Sequence, residues 1–218
     1  PRHRQPVTTG WKDIDMIVGG GLGKSELGVV IAPTGAGKSM VLVHLGSQAI
    51  KEGKTVIHYT LELQDTVIAN RYDSCITGYP LSNLIDFKED IYNEIKDLDG
   101  TLIVKLMKRG INPGMIIVDY ADLLKPIVVR KEKRAELESI YEDLRGLSTE
   151  FGCPIWTASQ TNRSGLNAEV ITMEQISEAF NKCFVADFIM SVSRTIEDKQ
   201  NNTGKIFIAK NRNGPDGI

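Results

Sequence analysis

Residues 32–39 form a glycine-rich stretch, Ala-Pro-Thr-Gly-Ala-Gly-Lys-Ser, between an apolar run over 27–31 and a helical segment that starts at Met40. A turn that ends in Gly-Lys-Ser is typical of a phosphate-binding loop, which requires a strand before it and a helix after it. Backbone N–H groups of such a loop surround phosphate oxygens, Lys38 adds a positive charge, and Ser39 offers a hydroxyl to Mg²⁺. The alternative is a chance glycine-rich turn. The predicted nucleotide-binding residues are Pro33, Thr34, Gly35, Ala36, Gly37, Lys38, Ser39 and Met40.

Composition limits the class of protein. The chain has 218 residues, 41% of them hydrophobic and 25% charged, as in an ordinary globular domain with a substantial core. Its apolar runs are too short to span a bilayer, and residues 1–6 are too polar for a signal peptide. The three cysteines are far apart and lack metal-ligand spacing, which indicates free thiols in a reducing compartment. We therefore expect a cytoplasmic protein that does not enter a membrane.

The organisation along the chain indicates one domain. Residues 1–10 are rich in Pro, Arg and Thr, so we expect a linker there and a single domain over residues 11–218. The chain begins with Pro1 rather than Met, which we expect of a fragment. The net charge of −2 argues against a broad basic face that neutralises long stretches of duplex, although a few basic loops could still grip one strand.

Apolar runs and helical patterns alternate along the domain. Strands are predicted over residues 26–31, 55–60, 102–104, 115–118, 154–158, 187–193 and 205–210. Helices are predicted over residues 40–51, 64–77, 82–97, 134–151 and 172–181. This alternation predicts an α/β fold, with a mostly parallel central sheet and helices on both of its faces.

The connection between two of the predicted strands is short. Only about ten residues separate Lys105 from Met115, whereas a parallel crossover normally needs a dozen or more. We therefore expect that residues are missing between Lys105 and Ile111.

Polar side chains follow three of the predicted strands. Asp119 ends the apolar run 115–118, where it would hold Mg²⁺ through water at the ligand-binding edge of a parallel sheet. Glu62 follows the second strand and is a candidate for activating a water molecule, although a solvated glutamate at a helix start is the alternative. Gln160 follows a later strand and could contact a phosphate or the water, or be an ordinary polar residue. Together with the phosphate-binding loop, these residues predict nucleotide hydrolysis.

In combination, these pieces resemble the RecA-like P-loop NTPases, and most closely the DnaB-type replicative helicases. The resemblance covers nearly the whole chain and rests on five segments in the expected order: 32–39, 60–63, 115–124, 159–164 and 209–215. It implies an ATP- and Mg²⁺-dependent ATPase in which Lys38 and Ser39 serve phosphate and Mg²⁺. It also implies Glu62 as the catalytic glutamate, Asp119 as the Mg²⁺ aspartate and Gln160 as the γ-phosphate sensor.

Further roles follow from the resemblance alone. It implies that Arg71 reaches the nucleotide and that Lys210 and Arg212 enter the active site of a neighbouring subunit. A residue supplied in this way makes the site complete only between subunits, and repetition of one such contact closes a ring or grows a helix. The resemblance implies a homo-oligomeric, six-membered ring around single-stranded DNA, in the cytoplasm of a bacterium or of a phage-infected host.

Two segments are candidates for DNA contact. The first is the basic stretch 130–134, including Arg130 and Lys131, for which a solvated helix start is the alternative. The second is 162–180, including Asn162 and Arg163. Helicases of this family usually carry an arginine, a glutamate and a glycine in this loop, whereas the corresponding stretch here, 177–180, reads Ser-Glu-Ala-Phe and has no arginine.

Two other functions are compatible with the same ATPase class. One is a recombinase of the RecA or RadA type that exchanges strands within a filament. The other is a KaiC-like regulatory ATPase, which the sequence Thr-Gly-Trp-Lys-Asp-Ile-Asp over residues 9–15 keeps open. The segments 159–164 and 209–215 favour the helicase.

Overall fold

A single seven-stranded sheet organises the protein, in the order β3-β2-β4-β5-β1-β6-β7. The computed structural model describes residues 4–104, 110–129, 131–161 and 169–218. The strands are β1 (Leu27–Ala32), β2 (Thr55–Thr60), β3 (Thr101–Val104), β4 (Met115–Asp119), β5 (Ile155–Gln160), β6 (Phe188–Ser193) and β7 (Lys205–Asn211). All neighbouring strands are parallel except β7, which runs antiparallel to β6.

The helices follow the strands in alternation. They are α1 (Lys12–Val18), α2 (Lys38–Lys51), α3 (Asp65–Thr77), α4 (Lys88–Ile95), α5 (Lys133–Phe151), α6 (Met173–Lys182) and α7 (Ile196–Gln200). Short 3₁₀ segments are Leu81–Phe87 and Ala121–Leu123. No helix within the described ranges has both the length and the apolar composition needed to cross a membrane.

Two apolar layers sandwich the sheet, as the alternation of strands and helices predicts. On one face, Leu42 and Leu45 of α2 and Ile68 of α3 belong to one buried cluster. On the other face, Leu144 of α5 and Ile176 of α6 belong to a second cluster. Every residue of β1 is buried, which explains why its sequence is an unbroken apolar run rather than an alternating one. The predicted mostly parallel sheet with helices on both faces is confirmed.

Some elements differ from the expectation. The helix predicted over 82–97 is divided into the 3₁₀ segment Leu81–Phe87 and α4. The first part contains serine, asparagine and aspartate, whose side chains compete with α-helical hydrogen bonds. The short helix α7 lies between the predicted strands 187–193 and 205–210, and its signal is a capping box in which Thr195 and Asp198 bond each other's backbone N–H.

The first residues pack against the domain. Val7 is buried and pairs with Leu22, while the guanidinium of Arg4 donates to the Glu26 carboxylate at 2.7 Å. The Thr9 hydroxyl donates to the carboxylate of Asp15 in α1 at 2.7 Å. The domain boundary expected at residue 10 stays a prediction.

β2 lies between β3 and β4 and is parallel to both. Residues 105–109 of the connection between β3 and β4 lie outside the described residues. The expectation that residues are missing there therefore stays a prediction.

The tight contact between β1 and β5 makes a stability prediction. A Cβ at Gly28 would lie 2.5 Å from the buried indole of Trp156, which also packs edge-on against Phe188. Gly28→Ala should lower the free energy of unfolding by about 1–3 kcal/mol, because the surrounding core has no room to shift. Denaturant unfolding measures this change.

The matched control is Gly146→Ala on the exposed side of α5, where an added Cβ meets open space. Alanine there should raise the free energy of unfolding by about 0.5–1 kcal/mol, because glycine is a poor helix former. Equal effects of the two substitutions would contradict the packing argument.

Candidate functional site

The candidate site lies along one side of the sheet, at the carboxyl ends of its parallel strands. This side is called the edge below. In the pairing of β1 with β5, Ala32 is opposite Gln160, and in the pairing of β2 with β4, Thr60 is opposite Asp119. The Leu61 N–H donates to the carbonyl of Asp119 at 2.9 Å and extends this pairing by one residue. The register therefore brings the loop after β1 and the ends of β2, β4 and β5 to one edge, as open parallel sheets do at their ligand sites.

The glycine-rich loop has an open inner surface. Gly35 and Gly37 have φ angles of 76° and 98°, a region that glycine adopts without steric cost. A Cβ at either position would meet nothing within 4 Å, so the space beside the backbone is free. Helix α2 starts at Lys38, directly after the loop, and its free N–H groups and dipole favour an anion there.

Lys38 sits among acidic groups at this edge. Partial burial lowers its pKa, while the charges of Glu62, Asp119 and Asp122 act in the opposite direction. Its Nζ lies 5.1 Å from the ring centre of Tyr120, the residue that follows β4. A half-buried ammonium held by surrounding carboxylates is suited to bind phosphate oxygens.

Asp119 carries a buried carboxylate. Its side chain is 1% exposed, and neither carboxylate oxygen has a partner at full hydrogen-bond geometry in the part of the chain that the structure describes. The ring atom His58 Nε2 lies 4.0 Å from Asp119 Oδ2. Burial raises the pKa of Asp119, as does the charge of Glu62, while the nearby Ser39 hydroxyl and the charges of Lys38 and Arg71 act in the opposite direction.

These features fit a magnesium ion. Mg²⁺ takes oxygen ligands and is usually held by one or two protein groups together with phosphate oxygens and water. Within the described ranges, neither oxygen of the Asp119 carboxylate has a partner at full hydrogen-bond geometry, and Ser39 lies nearby in the first turn of α2. Ser39 and Asp119 are therefore the residues that could hold it.

Gln160 reaches from the end of β5 to the glycine-rich loop. Its side-chain amide donates to the Thr34 hydroxyl at 2.5 Å, and its side-chain oxygen accepts from the Tyr120 hydroxyl at 3.4 Å. Thr34 belongs to the loop itself, and Tyr120 follows β4 at the same edge. The amide is therefore placed where it could contact a terminal phosphate.

Glu62 and Arg71 also belong to this edge. Glu62 is exposed, and its charge acts on both Lys38 and Asp119. Arg71 on α3 is near enough to lower the pKa of Asp119 and of the buried His58, whose pKa falls to about 4 mainly through burial. The structure therefore brings the predicted residues Lys38, Asp119 and Glu62 together, with Arg71 beside them.

Lys210 and Arg212 lie elsewhere. At the end of β7, Asn211 pairs with Phe188, the first residue of β6. Both basic residues therefore lie at the amino ends of the parallel strands, opposite to the end that carries the glycine-rich loop. The guanidinium of Arg212 donates to Asp187 at 3.1 Å, and Lys210 Nζ lies 4.0 Å from the Phe184 ring centre. A strand of this length separates them from the loop by more than about 10 Å, so they do not enter the site of their own chain.

The residues predicted to contact DNA are mostly outside the described ranges. Arg130, Asn162 and Arg163 lie outside the described residues, and Lys131 is exposed just before α5. Phe180, the last residue of the segment 162–180, packs against the second apolar cluster and edge-on against Phe184.

Two features of the site were not predicted from the sequence. One is a cavity of about 290 Å³ beside the glycine-rich loop, lined by Trp11, Gly37, Met40, His44, Arg194 and Thr203, among others. Its wall includes Trp11 stacked on His44, with 4.2 Å between the ring centres. The other is the hydrogen-bonded carboxylate of Asp122, whose only signal was a second aspartate shortly after Asp119.

The sheet order, the glycine-rich loop and the polar edge define the RecA-like ATPase fold. Two solved structures share it over 97% of this chain. One, described as an ATPase domain, superposes with a TM-score of 0.78, at 16% identity and over 86% of that chain. The other, a DnaB-like replicative helicase described together with its interactions with primase, superposes with a TM-score of 0.79, at 15% identity and over 58% of that chain.

Sequence comparison defines the family more narrowly. Residues 84–218 match the family described as the DnaB-like helicase C terminal domain, and the chain belongs to this family. It is 26% identical over 215 residues to the DnaB-like replicative helicase of Enterobacteria phage T4, covering 84% of this chain and 45% of the relative. It is 26% identical over 249 residues to replicative DNA helicase DnaB of Haemophilus influenzae, covering 97% and 52%. The chain thus spans about half the length of the curated relatives it matches.

The unpaired carboxylate of Asp119 predicts a conflict between stability and metal binding. Without Mg²⁺ and nucleotide, Asp119→Asn should raise the free energy of unfolding at neutral pH by about 0.5–2 kcal/mol, because it removes a buried charge. Because the folded-state pKa is raised, the wild-type protein loses stability as pH rises through the window above the usual aspartate value. The gain in the variant should therefore vanish at lower pH.

Thermal unfolding with and without magnesium and ATP measures the contribution of Asp119 to metal binding. The melting temperature of the wild type should rise when magnesium and ATP are added together, and that of Asp119→Asn should rise less. The matched control is Asp143→Asn on the exposed face of α5, which should change neither quantity. A destabilised Asp119→Asn protein that still responds fully to magnesium and ATP would contradict the assignment.

Proposed function

We propose that this chain is the ATP-hydrolysing motor domain of a hexameric replicative DNA helicase that acts on single-stranded DNA. The observation that carries the proposal is the buried, unpaired carboxylate of Asp119 beside an open phosphate-binding loop. Membership of the DnaB-like family supports this function over a recombinase or a KaiC-like regulatory ATPase.

The residues at the sheet edge supply the chemistry of ATP hydrolysis. The loop N–H groups and Lys38 bind and orient the phosphates, and Glu62 accepts a proton from the attacking water. Gln160 contacts the terminal phosphate or that water. Mg²⁺, held by Ser39 and Asp119, neutralises phosphate charge when it is bound. Positioning and charge stabilisation provide most of the catalysis in this class of reaction.

The cavity beside the loop is proposed to hold the nucleoside. Trp11 offers an aromatic surface, and Gly37 and Met40 join the cavity to the loop, so a nucleotide can occupy both at once. Arg71 is proposed to reach the nucleotide from α3.

Lys210 and Arg212 are proposed to complete the site of a neighbouring subunit. Support comes from their position at the edge opposite their own loop, where a head-to-tail contact can present them to the next chain. Such an arginine stabilises charge in the transition state and is worth roughly 10³–10⁵ in rate. Asp187 holds Arg212 in the isolated chain.

DNA contact is proposed for the stretch 130–134, with Arg130 and Lys131, and for Asn162 and Arg163. The low net charge of −2 supports a few local contacts along one strand rather than a broad duplex-binding face.

Unwinding of a forked DNA substrate tests the proposal most sharply. The protein at its full natural length should separate the strands with ATP and Mg²⁺ and fail without either. Lys38→Ala should abolish unwinding, because it removes the charge that binds phosphate. ATP hydrolysis and ring assembly without any unwinding would exclude the helicase and favour the regulatory ATPase.

Glu62→Gln should separate binding from chemistry. The amide keeps the size of the side chain but cannot accept the proton, so ATP affinity should stay within about twofold while kcat falls by at least about 10²-fold. Fluorescent-nucleotide binding and phosphate release measure the two quantities. A matched control is Glu150→Gln on the exposed side of α5.

Mixed rings test the shared site. Arg212→Ala subunits lack the residue they donate, and Glu62→Gln subunits lack the residue they use themselves. Mixing them should restore part of the ATPase activity, because some interfaces then contain both wild-type residues. If no mixing ratio restores activity while both variants assemble, Arg212 does not act across the interface.

A further inference from the structure

The Asp122 carboxylate joins three elements behind the candidate site. Its Oδ2 accepts hydrogen bonds from Lys182 Nζ at 2.7 Å, the Ser159 hydroxyl at 3.1 Å and the backbone N–H of Gln160 at 3.3 Å. Its Oδ1 accepts from the Tyr141 hydroxyl at 2.7 Å. The end of β5, the middle of α5 and the end of α6 therefore meet on one side chain.

This arrangement fixes the residue from which the Gln160 side chain extends. Asp122 bonds both the N–H of Gln160 and the hydroxyl of the residue before it. From that fixed backbone, the Gln160 amide spans to Thr34 in the phosphate-binding loop. A change in the Asp122 contacts would shift the backbone of Gln160, and with it the position of the side-chain amide relative to Thr34.

Lys182 determines where the Asp122 carboxylate can lie. The two side chains are 13% and 15% exposed, so water offers little alternative to either charge. Charge-assisted hydrogen bonds in such surroundings are short and directional. Because Lys182 is the last residue of α6, the position of that helix is coupled to the carboxylate.

We propose that Asp122 is a positioning residue that sets the reach of Gln160 toward the phosphate-binding loop, and that Lys182 holds Asp122 in place from the end of α6. The expected effect of the Gln160 position on ATP turnover rests on the proposed ATPase function. Neither Asp122 nor Lys182 is assigned a contact with nucleotide.

The experiment compares Asp122→Asn, Lys182→Met and Lys182→Arg with Gln160→Ala in the full-length protein. ATP turnover should show kcat reduced roughly ten- to a hundredfold in Asp122→Asn and Lys182→Met, because a small misplacement of a group in the site is enough. KM should change by less than about twofold, since the phosphate-binding loop itself is intact. Lys182→Arg keeps the ion pair and should retain most of the turnover.

A purely structural ion pair would give a different pattern. It would lower the melting temperature of the variants while leaving kcat per folded protein unchanged. A catalytic effect of Asp122 that does not pass through Gln160 would make the double variant Asp122→Asn with Gln160→Ala slower than Gln160→Ala alone. Positioning through Gln160 predicts instead that the double variant is no slower than Gln160→Ala. The control Asp143→Asn, an exposed aspartate on α5, should change none of these quantities.

Amide hydrogen exchange at Gln160 separates this inference from the proposed function, because it needs no turnover. Exchange should be faster in Asp122→Asn and Lys182→Met than in the wild type, and restored in Lys182→Arg. Unchanged exchange at Gln160, or normal kcat in both variants, overturns the inference. If exchange at Gln160 is faster in the variants but the wild-type protein does not hydrolyse ATP, the role of the Asp122 contact is supported and the proposed ATPase function is rejected.

Discussion

The parallel pairing of β1 with β5, and of β2 and β5 with β4, is the constraint on which the rest of the structure depends. Parallel strands end at one edge, so the loop after β1 and the polar residues after β2, β4 and β5 are brought together by the sheet itself. A slip of one residue in this register would turn each of these side chains to the wrong face. Every residue of β1 and β4 is buried, so both strands are packed on both faces of the sheet.

The same edge carries groups that do not stabilise the isolated fold. Asp119 is buried, and among the described residues neither of its carboxylate oxygens has a partner at full hydrogen-bond geometry, while Lys38 loses hydration nearby. Such groups cost stability unless a ligand compensates them, which is common where binding or catalysis needs a prearranged charge. The apolar layers on both sides of the sheet offset this cost.

The sequence was sufficient for the features that local patterns encode. The central strands, the phosphate-binding loop and the cluster of Lys38, Asp119 and Glu62 follow from apolar runs and from the polar residues that end them. The contacts of Asp122 could not be predicted, because Lys182 and Tyr141 come from helices whose relative placement is a tertiary property. The cavity beside the phosphate-binding loop has the same origin, since residues distant in sequence form its walls.

Lys210 and Arg212 lie at the end of the strands opposite to the phosphate-binding loop, so the role proposed for them requires assembly of several subunits. One chain carries the phosphate-binding loop at one end of the strands and the charges proposed to complete it at the other, so in the proposed function the active unit is an interface between two subunits.

The dependence of ATP turnover on protein concentration tests this central claim most directly. Turnover per subunit should be low in dilute protein, rise as light scattering reports assembly, and reach a plateau once assembly is complete. Turnover per subunit that is constant down to concentrations where only single chains are present would contradict it.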